Sequence, residues 1–290
     1  WDYQWGLQQI GLESVLTAIG SNVKDVAVAV LDTGSPAVTS TAYTTSAFVD
    51  GGYDFVPAEN GGDGDGIDND PTDSLAGVDS HGTHVATTIS ALNDGLNING
   101  FGIQTVPIRV LGADGTGFVS DIIQGLLYAG GLPNISGLVY SGNVPVKVIN
   151  MSLGSVRSSC SNSYQQAIND IYSRGITLVA ASGNDAQEYP GSYGYPASCN
   201  NVISVGALDV VQQRSYYSTY NDQVDIAAPG GDLTADINAD GYRDGILAFG
   251  TNEDLEFLQG TSMASPHVAG AVAVLYALVP TLQPFQVDGL

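Results

Sequence analysis

Val26-Ala27-Val28-Ala29-Val30-Leu31 is an unbroken apolar run, and Asp32-Thr33-Gly34 closes it. A run that does not alternate is buried on both faces, which is the mark of a strand inside a parallel sheet. Similar runs recur at residues 106–111, 144–151, 176–181 and 202–205. Helical patterns lie among them at 81–92, 120–129 and 163–174, and residues 1–19 read as an amphipathic lead-in. Strands alternating with helices of about ten residues predict a single α/β domain with a doubly wound, mostly parallel sheet flanked by helices. Sheets of this kind carry their sites in loops beyond the carboxyl ends of the strands. Asp32, Ser152 and Asn184 all fall just after an apolar run.

The chain has 290 residues, enough for one large α/β domain, and 43% of them are hydrophobic. Its charge is one-sided: 7 Lys+Arg stand against 30 Asp+Glu, a net charge of -23. Nucleic acid and anionic membranes, which need a basic surface, are therefore excluded as expected partners. No run of about eighteen apolar residues suggests a membrane span. No basic-then-apolar leader opens the sequence, so any signal or pro-segment is expected to have been removed. Residues 282–288 read as the start of a further helix, which leads us to expect a polypeptide that continues past Leu290. The acid is almost all Asp, concentrated with glycine in insertions at 59–73 and 232–244. Short carboxylates between glycines suit metal-binding loops.

Four segments carry chemistry. In Gly260-Thr261-Ser262-Met263-Ala264-Ser265-Pro266-His267-Val268-Ala269-Gly270 a serine stands at the head of an apolar helix. Unpaired N–H groups and the positive end of the helix dipole favour negative charge there, although a serine in that position also serves as a simple cap. His81-Gly82-Thr83-His84-Val85-Ala86 puts an imidazole at another helix start, and His81 reads as a general base with His84 packed behind it. Asp32 ends a buried strand, where a carboxylate needs a partner; held against His81, it fixes the tautomer and stabilises the imidazolium. Asn184, in Ala180-Ala181-Ser182-Gly183-Asn184, offers a side-chain amide to an oxyanion, or else is a turn residue.

Together and in this order, these segments resemble the subtilase family of serine proteases. The resemblance implies Asp32, His81 and Ser262 as a catalytic triad and Asn184 as oxyanion donor, with the backbone N–H of Ser262 as a second donor. It departs from the family at Thr87, where a glycine is usual, and that difference touches helix packing rather than chemistry. Val110-Leu111-Gly112-Ala113-Asp114-Gly115-Thr116-Gly117 and Asn150-Met151-Ser152-Leu153-Gly154 resemble the segments that flank an extended substrate. Gly115, Thr116 and Gly117 form one expected edge, and Ser152, Leu153 and Gly154 the other. A substrate held as an added strand takes affinity from main-chain bonds and selectivity from pockets. The resemblance sets the primary pocket along Ala181, Gly183 and Gly194, and the glycine at its base implies a preference for large apolar side chains. It also implies a secreted monomer that hydrolyses polypeptides, with its own pro-segment as inhibitor and folding aid.

Asp236, Asn238, Asp240, Tyr242 and Asp244 supply oxygen ligands at alternate positions, with Gly241 at the turn, as a calcium loop of EF-hand type requires. The closing bidentate Glu is missing, since its position holds Leu247. Asp63, Asp65, Asp68 and Asp70 resemble an Asp-rich calcium insertion of secreted bacterial subtilases, and Asp94 lies in a third loop where subtilases often bind calcium. Bound Ca2+ is expected to be structural, stabilising the folded state by mass action. Similar subtilases pair cysteines in the regions of Cys160 and Cys199, which predicts a disulfide bracing the substrate pocket. An esterase is disfavoured because Ser262 lacks the Gly-x-Ser-x-Gly setting. A catalytically silent, calcium-dependent binding module on the same scaffold is the alternative from another class.

Overall fold

The computed structural model describes residues 3–20, 25–35, 49–72, 80–92, 98–250 and 254–290. Asp94 lies outside the described residues. In chain order the elements are α1 (Trp5–Gln9), α2 (Leu12–Ile19), β1 (Ala27–Asp32), β2 (Tyr53–Asp54), a 3-10 turn (Ala58–Asn60), α3 (His81–Ser90), β3 (Gln104–Arg109) and α4 (Val119–Ala129). They continue with β4 (Val146–Met151), β5 (Ser155–Val156), α5 (Asn162–Tyr172), β6 (Thr177–Ala181), β7 (Gly194–Tyr195) and β8 (Ile203–Leu208). The last are β9 (Ile226–Pro229), β10 (Ile246–Phe249), β11 (Leu255–Leu258), α6 (Thr261–Leu278) and α7 (Pro284–Val287).

Seven strands form one sheet in the order β2-β3-β1-β4-β6-β8-β9, and every pairing in it is parallel. After β1 the chain runs to the edge at β2, returns through β3 beside β1, and then crosses to β4 and moves outward through β6, β8 and β9, so the strand order reverses beside β1. Its six residues are all buried, as the unbroken apolar run requires. Val28 and Val30 face a core built with Val85, Ile89, Met263 and Val272 of α3 and α6. Ala29 and Leu31 face the opposite core, with Ile122 and Leu126 of α4 and Ile168 of α5. This two-sided burial is the architecture that the strand-and-helix alternation predicts.

The central member is α6. Its 18 residues have a mean hydropathy of 1.2, enough by length and composition to cross a membrane. Most of its positions are instead buried inside the protein, so it is the core helix of the sheet's α3 side. Because it is apolar all round, its position comes from packing on several strands rather than from one amphipathic stripe. Two small antiparallel pairs lie outside the main sheet, β10 with β11 and β5 with β7. Cys160 and Cys199 are joined in a disulfide that ties the start of α5 to the segment after β7.

Candidate active site

Asp32 is the last residue of β1 and is fully buried, and its Oδ1 lies 2.7 Å from Nδ1 of His81. The same oxygen accepts the N–H of Thr33 at 2.8 Å, which fixes the carboxylate against the imidazole. His81 opens α3, and the preceding Ser80 donates to the Glu256 carboxylate on β11. Gly82 brings the helix start against β1: a Cβ there would come within 2.2 Å of the Gly34 carbonyl. His84 sits behind His81, fully buried, with Nε2 at 2.9 Å from the Ile246 carbonyl. Desolvation lowers its pKa to about 3, and burial lowers that of His267 to about 4, so both stay neutral near pH 7. His267 is occupied inside α6, with Nδ1 at 2.8 Å from the Met263 carbonyl. Of the three histidines, His81 alone opens onto the cleft together with Ser262.

Ser262 is the second residue of α6, and its position is secured from β4. Pro266 cannot donate the helical hydrogen bond that the Ser262 carbonyl would otherwise accept. Ser152 Oγ donates to that carbonyl at 2.7 Å in its place, while Ser262 Oγ donates to the Ser152 carbonyl at 3.2 Å. Behind this pair, Asn150 donates to Ser152 Oγ at 3.0 Å and accepts from Ser265 Oγ at 2.7 Å. Asn150 and Ser265 are both fully buried, and the sequence left Asn150 undistinguished from an ordinary strand residue.

Asn184 follows β6. Its Oδ1 accepts both the N–H and the hydroxyl of Thr261, at 2.9 and 3.0 Å, which turns Nδ2 toward open space as a donor. Gly260 completes this corner with φ +153°, a conformation that favours glycine. A Cβ at Gly260 would stand 3.4 Å from Asn184 Nδ2, in the space beside the amide. Thr261 therefore does more than start the helix: it orients the amide.

A cleft of about 730 Å³ joins these residues. Its walls include Gly115, Thr116 and Gly117 on one side and Ser152, Leu153 and Gly154 on the other, with Ala181, Gly183 and Asn184 beyond. Gly194 lies one layer back, because a Cβ there would meet the Ser182 carbonyl at 2.3 Å; its neighbour Tyr195 lines the cleft. The first edge is braced by the 59–73 insertion, since Ala113 N–H donates to the Gly61 carbonyl at 3.1 Å. A second groove of about 730 Å³, lined by Leu12, Val15, Val272, Leu275 and Leu278 among others, includes none of the catalytic candidates.

Thr87, the departure from the family pattern, uses its hydroxyl to join α3 to β10. It donates to the Thr83 carbonyl at 2.9 Å and accepts the Phe249 N–H at 3.2 Å.

The two Asp-rich loops differ. Asp63 directs one oxygen to Arg109 at 3.0 Å, and Asp54 of β2 pairs with the same guanidinium at 2.9 Å. Asp68 and Asp70 accept backbone N–H groups of their own loop, those of Asp70 and Thr72. Asp65 is exposed, and the hydrogen bond it shares with Asp63 raises its pKa. In the other loop, Gly241 turns the chain with φ +93°, and Asp236, Asn238 and Asp240 accept N–H groups of the turn. Asp244 is buried; one oxygen accepts the Ile237 N–H at 2.6 Å, and Oδ1 is enclosed without a hydrogen-bond partner among the described residues. Tyr242 stacks on Phe257 at 5.5 Å, fastening the loop to β11. Among the described residues no three His, Cys, Asp or Glu side chains are already gathered as a metal site.

Residues 23–290 match the family model described as the subtilase family. The chain is 39% identical over 282 residues to an extracellular protease of Xanthomonas campestris pv. campestris, with 91% of this chain and 46% of that protein aligned. It thus spans about half the length of that relative. It is 36% identical over 288 residues to subtilisin Savinase of Lederbergia lenta, covering 98% of this chain and 87% of that one. Among solved structures, a protease of Pseudoalteromonas arctica PAMC 21717 is similar with TM-score 0.84 and 33% identity, over 100% of this chain and 89% of that one.

Proposed function

The chain belongs to the subtilase family, and from that premise we propose that it is a secreted serine endopeptidase acting through Asp32, His81, Ser262 and Asn184. The observation that carries this reading is the 2.7 Å pair of Asp32 and His81 opening into one cleft with Ser262 and Asn184. Asp32 holds Nδ1–H of His81, which leaves Nε2 to take the proton of Ser262 Oγ once that hydroxyl turns from the Ser152 carbonyl and its oxygen attacks the scissile carbonyl. The Asn184 amide and the Ser262 N–H then donate to the oxyanion, and His81 returns the proton to the leaving amine. An extended polypeptide lies between the 115–117 and 152–154 edges, with a large apolar side chain preferred in the pocket at Ala181 and Gly183, which Gly194 backs. Extracellular and subtilisin-named relatives support secretion. A monomer and an inhibitory pro-segment complete the proposal.

Calcium belongs to this reading as a structural ion. The 236–244 loop fits it: oxygen donors alternate along the turn, and the enclosed Asp244 Oδ1 lacks a protein partner among the described residues. Asp236, Asn238, Asp240 and Asp244, with the Tyr242 carbonyl, would hold the ion, and Ca2+ would neutralise crowded carboxylates there. The 63–70 loop is a secondary candidate, because Asp63 already serves Arg109.

The test compares casein hydrolysis and phosphonate labelling of the native protein with those of Ser262→Ala. We expect the variant to lose labelling and nearly all turnover, by a factor on the order of 10⁶. Equal hydrolysis by the two proteins would remove Ser262 from the mechanism. A correctly folded native protein that neither cuts casein nor takes up phosphonate would favour the silent calcium-dependent binding module.

A further inference from the structure

The chain carries only 7 Lys+Arg against 30 Asp+Glu, yet one of the seven, Arg157, lines the cleft. It directly follows β5, which pairs with β7, and its N–H donates to the Tyr193 carbonyl at 3.4 Å. Its side chain is exposed, and among the described residues its one hydrogen bond runs from Nε to Ser155 Oγ at 3.0 Å. Among the described residues no carboxylate lies within 4.0 Å of it, in a molecule where acids outnumber cations fourfold. Both terminal nitrogens of the guanidinium are thus available for a planar acceptor.

A second observation comes from the opposite kind of residue. Tyr164 is 4% exposed and lines the same cleft, and its hydroxyl is buried without a hydrogen-bond partner among the described residues. An enclosed phenol that stays unpaired is costly, and a ligand whose entry opens the wall and accepts a hydrogen bond from it relieves that cost. Tyr164 stands in the first turn of α5, whose N-cap is Ser161, and Ser161 Oγ accepts the Tyr164 N–H at 3.3 Å. That 11-residue helix has no acid in its first turn, so the positive end of its dipole is left uncompensated by its own sequence. Ser159 and Ser161 add hydroxyls on the same wall, and the Cys160–Cys199 disulfide fixes the backbone between them. Asp185, next to Asn184, is a carboxylate that also lines the cleft, and it repels rather than attracts an acidic side chain.

We propose that Arg157, with the hydroxyls of Ser159, Ser161 and Tyr164 at the amino end of α5, forms a subsite that takes a carboxylate side chain of the polypeptide substrate. This rests on the protease reading above and adds a substrate class to it: chains with Asp or Glu at one fixed distance from the scissile bond. The subsite also offsets, locally, the repulsion that a protein of charge -23 exerts on an acidic substrate.

The experiment scans Glu against Gln at each position of a quenched fluorescent peptide, reading the ratio of kcat/KM for native protein, Arg157→Ala, Arg157→Glu and Tyr164→Phe. In the native protein we expect one position to favour Glu about tenfold, as a charge-assisted hydrogen bond gives. The ratio should fall to about one in Arg157→Ala and below one in Arg157→Glu, drop by a smaller factor in Tyr164→Phe, and shrink at high salt. A native profile with no position favouring Glu, or a Glu preference that Arg157→Glu leaves intact, overturns the subsite. If native protein cuts no peptide at all while Ser262 also fails to label, the protease reading falls and the subsite falls with it.

Discussion

Two loops of nearly the same composition do different work in this molecule. Asp63-Gly64-Asp65-Gly66-Ile67-Asp68-Asn69-Asp70 and Asp236-Ile237-Asn238-Ala239-Asp240-Gly241-Tyr242-Arg243-Asp244 both read as calcium loops. The first is anchored from below by Arg109, a fully buried cation at the end of β3 that pairs with Asp54 and Asp63. Among the described residues no such cation pairs with the buried carboxylate of the second, and Asp244 is left with an enclosed oxygen that none of them shares. What separates them is the sign of the charge beneath the loop. A loop whose counter-ion is built into the protein depends less on one from solution, while one that buries a bare carboxylate oxygen is the stronger candidate for a bound cation.

The strongest way to break this contrast is Arg109→Met, made in the Ser262→Ala background so that autolysis does not confuse the measurement. It strands Asp54 and Asp63, and breaking a buried pair of this kind costs about 3–5 kcal/mol. The urea midpoint should fall accordingly, and adding Asp54→Leu should recover part of the loss. A midpoint that does not move would mean that Arg109 is not the anchor of the first loop.

The next effect is metal removal. Excess chelator should lower the melting temperature, by the equivalent of about 2.7 kcal/mol for an ion previously held at a hundred times its Kd. Asp244→Asn should abolish the difference between chelated and calcium-loaded protein, and Asp65→Asn should preserve most of it. Melting that is indifferent to chelator would count against calcium in the second loop.

The smallest effect is a pH dependence of opposite sign in the two loops. Desolvation raises the pKa of Asp54 from 3.8 to about 7, more than the Val56 N–H and the Arg109 charge lower it. A carboxyl raised in the folded state binds its proton there more tightly than in the unfolded chain. Its contribution is therefore complete below about pH 4 and is lost as pH rises through about 7. In chelator, stability should decline modestly over that window, and Asp54→Asn should flatten the curve. With calcium present the second loop works in the other direction, since its carboxylates hold the ion only when ionised. A chelated profile that Asp54→Asn leaves unchanged would remove Asp54 from the account.

The contrast also shows where sequence stops being informative. The strands at β1, β4 and β6 are legible because burial on both faces demands a largely apolar run, interrupted in β4 by Lys147 and Asn150, and Asp32, Ser152 and Asn184 are legible because each ends or follows one. By contrast β2, β5 and β7 are two residues long, too short for any period, and exist only through their pairing with distant chain. Arg109 closes a strand otherwise composed of Gln104-Thr105-Val106-Pro107-Ile108, and nothing local reveals that Asp54 and Asp63 will meet it. The same holds for Asn150 and Ser265, whose contact joins positions 115 apart. Pro266 is the exception: a proline in a helix announces a missing hydrogen bond, although the sequence does not say that Ser152 fills the vacancy.

The Cys160–Cys199 bond has a consequence for wear. It joins residues 39 apart and closes a loop that contains β6, Asn184 and the exposed turn at 187–191. Under the proposed proteolytic activity, copies of the chain nick one another, and exposed turns are where nicks fall. A single cut anywhere inside that loop leaves both fragments covalently joined, with the cleft wall and the amide still attached to the same molecule. Damage in this region is then visible on a gel only after reduction, and the injured molecule is retained rather than shed in pieces.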